Sequence, residues 1–292
     1  FKQKTAYEIG VRLVGSEMCI RDSFYLPTDE MLGFVRIAAD PGFMIGTRRQ
    51  DAARVSKIIG GKVHDEEIND VPTPTPEFYI ARYPVTVAQF RAFVEATGYA
   101  IGDTSALADP DSRPVRWVSW HDAQAWCDWL NQTLVSSPAC AGSPIARLVR
   151  EEGWRIAMPS ELEWEKAARG GLSGSVFPWL GGADSNRANY LDSRIGDTSV
   201  VECFAANGFG LFDIVGNVGE WTRSVWLPYP YDATDPKHED LKAADDVERV
   251  VRGGSWDFSR DFARCASRFW FLPSSRLGYF GFRVVLRSSP VR

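Results

Sequence analysis

Three helix starts, each a capping residue followed by an apolar stripe, constrain this chain more than any other feature. Pro84-Val85-Thr86 leads into Gln89 as a Thr-x-x-Gln capping box, with Phe90, Phe93 and Val94 on one face and Gly98 as the stop. Ser119-Trp120-His121-Asp122 opens a second helix, whose Ala123, Trp126, Cys127 and Leu130 form the buried stripe. Pro159-Ser160 with Glu163 is a Ser-x-x-Glu box, followed by Trp164, Ala167 and Ala168 and ended by Arg169-Gly170-Gly171. Between them lie short apolar runs, glycines and tryptophans. Val250-Val251 and Val284-Val285-Leu286 read as core strands beside turn signals. Residues 35–39 and 43–46, split by Asp40-Pro41-Gly42, read as a hairpin. Residues 50–76, polar and carrying Asp65-Glu66-Glu67 and three prolines, read as an extended surface loop. No strand–helix alternation with a phosphate loop occurs, which excludes a doubly wound sheet. The expected fold is a single α+β domain with much irregular structure.

The C-terminal stretch is unusual. Nine aromatics fall in the 27 residues from Trp256 to Phe282, a third of the segment against 13% of the chain. The run Phe269-Trp270-Phe271-Leu272, ended by Pro273, follows neither a period of 2 nor one of 3.6. Ser259, Asp261, Ser274, Ser275 and Gly278, all loop formers, sit among the rings. Rigid aromatics beside small polar residues suit adaptable recognition. For the four-residue run alone a core role is the simpler reading; for the whole segment the composition favours a surface.

Composition bounds the function classes. A net charge of −5 without a basic block argues against a nucleic-acid partner. No apolar run approaches the ~18 residues of a membrane span. Five cysteines, scattered and without C-x-x-C spacing, form neither a zinc frame nor a disulfide scaffold. That usage fits a reducing, cytoplasmic compartment. No signal peptide is visible: Glu8, Arg12, Glu17 and Arg21 interrupt any apolar core near the start. Residues 1–23 resemble translated adapter sequence and are expected to be a non-native, disordered extension, with Cys19 outside any site; the domain is expected to span 24–292.

Several motifs follow one another in order. They are Pro84-Val85-Thr86, Val118-Ser119-Trp120 with Asp122-Ala123, and Pro159-Ser160-Glu161 with Glu163-Trp164-Glu165 and Ala167 to Gly170. Phe177-Pro178-Trp179, Asn207 to Asp213, Gly216-Asn217-Val218 with Glu220-Trp221, and Arg252 to Trp256 complete them. The chain thereby resembles the formylglycine-generating-enzyme (sulfatase-modifying factor) domain, a variant of the C-type lectin fold, from about Val35 to Leu286. The resemblance implies the scaffold more firmly than an activity, because such scaffolds host several. The family's oxidases hold copper with two cysteines just after Gly-Gly-Ser-aromatic, since soft thiolates suit Cu(I). Here Asp257 to Ala263 contain neither cysteine, Cys265 matches a position usually structural, and Gly219 replaces a tryptophan usual before Glu220. The family's iron-dependent sulfoxide synthases imply a His-x-x-x-His-x-Glu motif, and His64, His121 and His238 are not spaced for it. No copper or iron is therefore expected, and both enzymatic readings stand behind a binding role.

The segment from Gly253 to Arg283 also resembles the variable region of proteins diversified by phage and bacterial retroelements, which rewrite adenines in a C-terminal cassette. The constant parts would be Gly253 to Trp256, Ala263 to Arg268, Pro273 and Gly281 to Arg283. The variable, ligand-binding positions would be Asp257, Phe258, Ser259, Asp261, Phe262, Phe269, Trp270, Phe271, Leu272, Ser274, Ser275, Leu277, Gly278, Tyr279 and Phe280. Most of these residue types arise from an Asn codon by adenine changes, and no Asn or Lys lies between Ala243 and Arg292. The implied partner is a protein or cell-surface ligand, and the rings are expected to be at least partly exposed on one patch. By the same resemblance, structural Ca²⁺ would be held by Asp213 with the carbonyls of Ile214, Gly216 and Val218. A second ion would take Asn189, the carbonyl of Tyr190 and Asp197. Hard oxygen ligands on a tight loop suit this cation; the alternative is that Asp213 and Asn217 satisfy turn backbone.

Overall fold

The computed structural model describes residues 26–288; the 1–23 extension lies outside the described residues. The three capped helices form where the caps place them. They are Val87–Thr97 (α2), Trp120–Ser136 (α3) and Glu161–Ala168 (α5), with Thr86, Ser119 and Ser160 each making a reciprocal capping box. Gly98 closes α2 in the left-handed conformation, at φ 66°. Two further helices escape the sequence pattern, Ala52–Ile59 (α1) and Pro144–Glu151 (α4). The first corrects the expected loop over 50–76. Val55 and Ile59 are one helical turn apart and bury against Val63, Val176 and Phe177. Exposed Ala53, Arg54 and Lys57 on the other face hide that stripe in a polar window.

Two four-stranded sheets and a two-stranded ribbon complete the domain. Phe34–Ile37 (β1), Phe78–Ala81 (β4), Val285–Ser288 (β10) and Trp154–Ala157 (β5) lie in the order β1-β4-β10-β5. The second sheet runs Arg268–Phe271 (β8), Arg249–Arg252 (β7), Gly219–Val225 (β6) and Phe280–Phe282 (β9), with β8 at one edge. The hairpin expected around Asp40-Pro41-Gly42 does not form. β1 pairs antiparallel with β4 over all four residues, whereas Asp40–Phe43 (β2) pairs with Thr73–Thr75 (β3). The apolar β4 gives β1 a complete partner in the core. Pro41 lacks a donor and is tolerated in an outlying ribbon.

The largest core cluster joins α2, α3 and α4 to β9 and β10, with Trp126, Trp221, Phe90 and Phe282 at its centre. A second cluster packs α5 under β4, β10 and the loop before β8. All eight residues of α5 are buried, including Glu161, Glu163 and Glu165. Charges in such a position must find partners, and these partners build the site.

Candidate functional site: a C-terminal segment held by buried arginines

Four arginines fix the segment between β7 and β10. Arg252 reaches Glu165 and the Cys265 carbonyl, the latter at 2.8 Å. Arg264 makes a bidentate pair with Glu67, both contacts 2.7 Å. Arg268 donates to Glu161 at 2.7 Å, with its guanidinium 4.2 Å from the ring centres of Trp226 and Tyr229. Arg283 meets both oxygens of Glu220, at 2.9 and 2.8 Å, and also donates to the carbonyls of Ala81, Phe212 and Asp213. All four guanidiniums are buried. Sequence reading missed Glu67, Glu161 and Glu165 as their partners and placed Glu67 on a surface loop. Burial of a glutamate in a polar run is the signal that only the fold supplies.

The Gly253-Gly254 turn follows from close packing. Both residues have positive φ, 96° and 66°. A Cβ on Gly254 would sit 2.8 Å from the Phe262 carbonyl, and one on Gly253 would sit 3.0 Å from the Trp164 ring. Trp256 is tied down by its own amide to the Asn217 carbonyl, 3.1 Å, and by Nε1 to the Gly278 carbonyl, 3.3 Å.

Between these fixed points some of the side chains reach the surface. Phe258, Phe262, Phe269 and Tyr279 are half-buried and form one ring cluster, with Phe258 central: centroids lie 6.0, 5.2 and 5.3 Å away in Phe262, Phe269 and Tyr279. Phe262 also stands 5.3 Å from Phe269, and His64 stacks on it at 6.4 Å. Asp257, Ser259 and Asp261 lie on the same loop, Asp257 exposed and the other two half-buried.

Not every expected position joins this patch. Phe280 is fully buried, contrary to the expected exposure; it lies in β9 against Trp221, Phe271 and Tyr279. Its alternation with Tyr279 turns it inward. Gly278 is buried under the Trp117 ring. Trp270 is 50% exposed but lies opposite Val250, whereas Phe269 and Phe271 pack on the main core. Strand alternation therefore turns Trp270 to the other face of β8. Leu272, Ser274, Ser275 and Leu277 sit on the next loop, which docks on the start of α3: the Trp120 amide donates to the Pro273 carbonyl at 3.0 Å, and Arg276 pairs with Asp122.

The two expected calcium groups differ in their fit. Asp213 is buried at φ 50°; its Oδ2 accepts from the Glu202 amide at 2.8 Å, while Oδ1 has no hydrogen-bond partner. Burial pushes its carboxyl up to about 7, with the Glu202 amide and the Arg283 guanidinium opposing. A buried carboxylate oxygen without a donor fits a cation ligand. Asp197 does not fit: its carboxylate is held by Arg113 at 2.5 Å and Arg116 at 2.8 Å, which depress its pKa against burial. Asn189 reaches Asp197 only through the backbone, Nδ2 to the carbonyl at 2.8 Å.

The histidines stand apart: beside His64 on Phe262, His121 pairs with Asp245 at 3.0 Å and His238 packs on Tyr231. Cys127, Cys140 and Cys265 are buried, and burial raises the Cys265 thiol to about 12. Among the described residues no helix is long and apolar enough to cross a membrane.

The arrangement is that of a mixed helix-and-strand scaffold carrying a C-terminal segment pinned at fixed points. The chain belongs to the family of the sulfatase-modifying factor enzyme 1-like domain, whose family model matches residues 44–288. It is 29% identical over 205 residues to the formylglycine-generating enzyme of Mus musculus, covering 65% of this chain and 48% of that protein. It is 33% identical over 198 residues to the inactive C-alpha-formylglycine-generating enzyme 2 of Bos taurus, 62% of this chain and 53% of that one. The chain thus spans about half the length of the curated relatives it matches. Among solved structures, PvdO from Pseudomonas aeruginosa superposes with a TM-score of 0.65 at 25% identity, covering 87% of this chain and 94% of that one. Treponema denticola variable protein 1 shares the fold at a TM-score of 0.59 and 22% identity, with the same coverage.

Proposed function

We propose that this protein is a non-catalytic ligand-binding protein, a retroelement-diversified variable protein on a formylglycine-generating-enzyme-like scaffold. The observation that carries this reading is a division of labour along one segment. Arg252, Arg264, Arg268 and Arg283 are buried in ion pairs, while Phe258, Phe262, Phe269 and Tyr279 between them form a contiguous, partly buried ring cluster that reaches the surface. Exposed apolar patches of this kind mark interaction sites, and rigid rings lose little side-chain entropy on binding. Asp257, Ser259 and Asp261 supply adaptable polar contacts at its rim. The ligand is a protein or another cell-surface group.

An oxidase reading lacks its copper-binding thiolates. Phe258 and Ala263 stand in the stretch where the copper thiolates would be, and Cys265 is held as a buried thiol rather than a thiolate. The test pairs two measurements. Cross-linked capture of a cell-surface partner is expected with the native protein and lost with Phe258→Asn plus Phe262→Asn, at a stability cost below the ~3–5 kcal/mol of emptying a core aromatic. Capture of the same partner by the double variant, or aldehyde formation on a cysteine-containing sulfatase peptide with copper supplied, would sink the proposal.

A second, structural role is proposed for calcium at Asp213, favoured by its unpartnered Oδ1. The ion would stabilise the loop that carries Ile214, Gly216 and Val218 and take no part in chemistry. Saturating Ca²⁺ at about 100 times its dissociation constant should add ~2.7 kcal/mol, read as a fall in melting temperature on adding EGTA. An identical melt with and without chelator would remove this role.

A further inference from the structure

A cavity of about 70 Å³ opens where α1 and the segment from Met44 to Arg48 meet residues 173–176 and the inner end of the C-terminal segment. Its charged lining is one-sided: the guanidiniums of Arg48, Arg54, Arg169 and Arg264 against the single carboxylate of Asp51. Arg169 and Arg264 form the buried part. Arg169 is fixed by Glu165 and by the carbonyls of Gly46 and Ser175, both 2.7 Å; Arg264 is fixed by Glu67. Glu165 and Glu67, their partners, are not among the residues that line the cavity.

Arg48 and Arg54 stand at the mouth with side chains 46% and 49% exposed, sharing Asp51 between them. Arg48 uses Nε on Asp51 at 2.9 Å, and Arg54 uses Nη2 on the Gly174 carbonyl at 3.1 Å. Both Nη groups of Arg48 and the Nη1 of Arg54 are left to donate elsewhere. Ser175 also lines the cavity, but its buried Oγ is turned to the Cys265 sulfur. Two cations sharing one anion, with free forked donors, make an incomplete ionic site.

We propose that this cavity binds one tetrahedral oxyanion, a phosphate or sulfate group, either free or at the end of a small molecule. Guanidinium forks match such oxygens bidentately. The volume is far below the ~300 Å³ at which ordinary ligand pockets begin, so the site takes a single anionic group and not a whole cofactor. The proposal is independent of the ring cluster and of its ligand.

The test is a melting titration at constant ionic strength, replacing chloride by inorganic phosphate, by sulfate, or by glycerol phosphate. The native protein should show a saturable rise in melting temperature. Arg48→Ala with Arg54→Ala should raise the half-saturating concentration at least about tenfold, the loss of one charge-assisted contact or more, yet melt like the native protein in chloride. Arg54→Lys, which leaves the mouth folded, should weaken the response to a smaller degree. A rise with glycerol phosphate equal to that with inorganic phosphate assigns the site to terminal phosphoryl groups. A rise with the inorganic ions alone assigns it to the free anion; both uphold the site. No saturable rise with any of the three anions overturns it, as does a response unchanged in all the variants.

Discussion

Replacing Arg283 by alanine is expected to destabilise the fold by about 3–5 kcal/mol, the cost of breaking a buried pair from one side. Arg283 and Glu220 are both fully buried, and the Arg283 Nε–H is shared between the two carboxylate oxygens. Glu220 also accepts from Trp164 Nε1 at 2.6 Å. Burial alone pushes its carboxyl up, and the guanidinium with the indole N–H pulls against that rise. Without the arginine the carboxylate must protonate or remain buried and unpaired, and three backbone carbonyls lose a donor. Adding Glu220→Leu should then recover part of the loss, because it removes the carboxylate that Arg283→Ala leaves buried and unpaired. Urea unfolding of the native protein, both single variants and the double variant decides the point. Losses that simply add would mean that the two side chains act separately.

The same logic applies to all four anchors of the segment. Arg252, Arg264, Arg268 and Arg283 tie it to Glu165, Glu67, Glu161 and Glu220, which belong to other elements. Buried ion pairs contribute little net stability, but they penalise every misplacement heavily. Here they hold the backbone without drawing on the side chains between them.

Much of this was legible from residue order, and the exceptions have physical causes. Capping boxes declare themselves within four residues, so α2, α3 and α5 begin at the expected residues. Family motifs carried the scaffold, matched over residues 44–288. Partnerships across the chain were not legible: Glu67 and Arg264 are 197 positions apart, and nothing local marks either as buried. α1 was hidden because only Val55 and Ile59 of its eight residues bury, among alanines and cations. Phe280 was misplaced because nine aromatics in 27 residues show no period, and the facing of each ring depends on strand boundaries at Arg268 and Phe280.

Those boundaries lead to the sharpest contrast among the rings. Phe280→Ala should cost about 3–5 kcal/mol, the range for emptying a buried aromatic site. Its ring is in contact with Trp221, Phe271 and Tyr279 at 5.6, 4.5 and 4.8 Å, so the void would open between two strands and beneath the ring cluster. Trp270→Ala, on the exposed face of the edge strand β8, should cost no more than about 1 kcal/mol, since half its surface is already in water. Phe258→Ala should fall between them: its ring touches three neighbours but is half-exposed. The order Phe280, Phe258, Trp270 in the loss of unfolding free energy is the expected result. It separates core from surface within a segment whose composition looks uniform. A loss at Trp270 as large as that at Phe280 would make the run from Phe269 to Leu272 core and overturn the outward facing of Trp270.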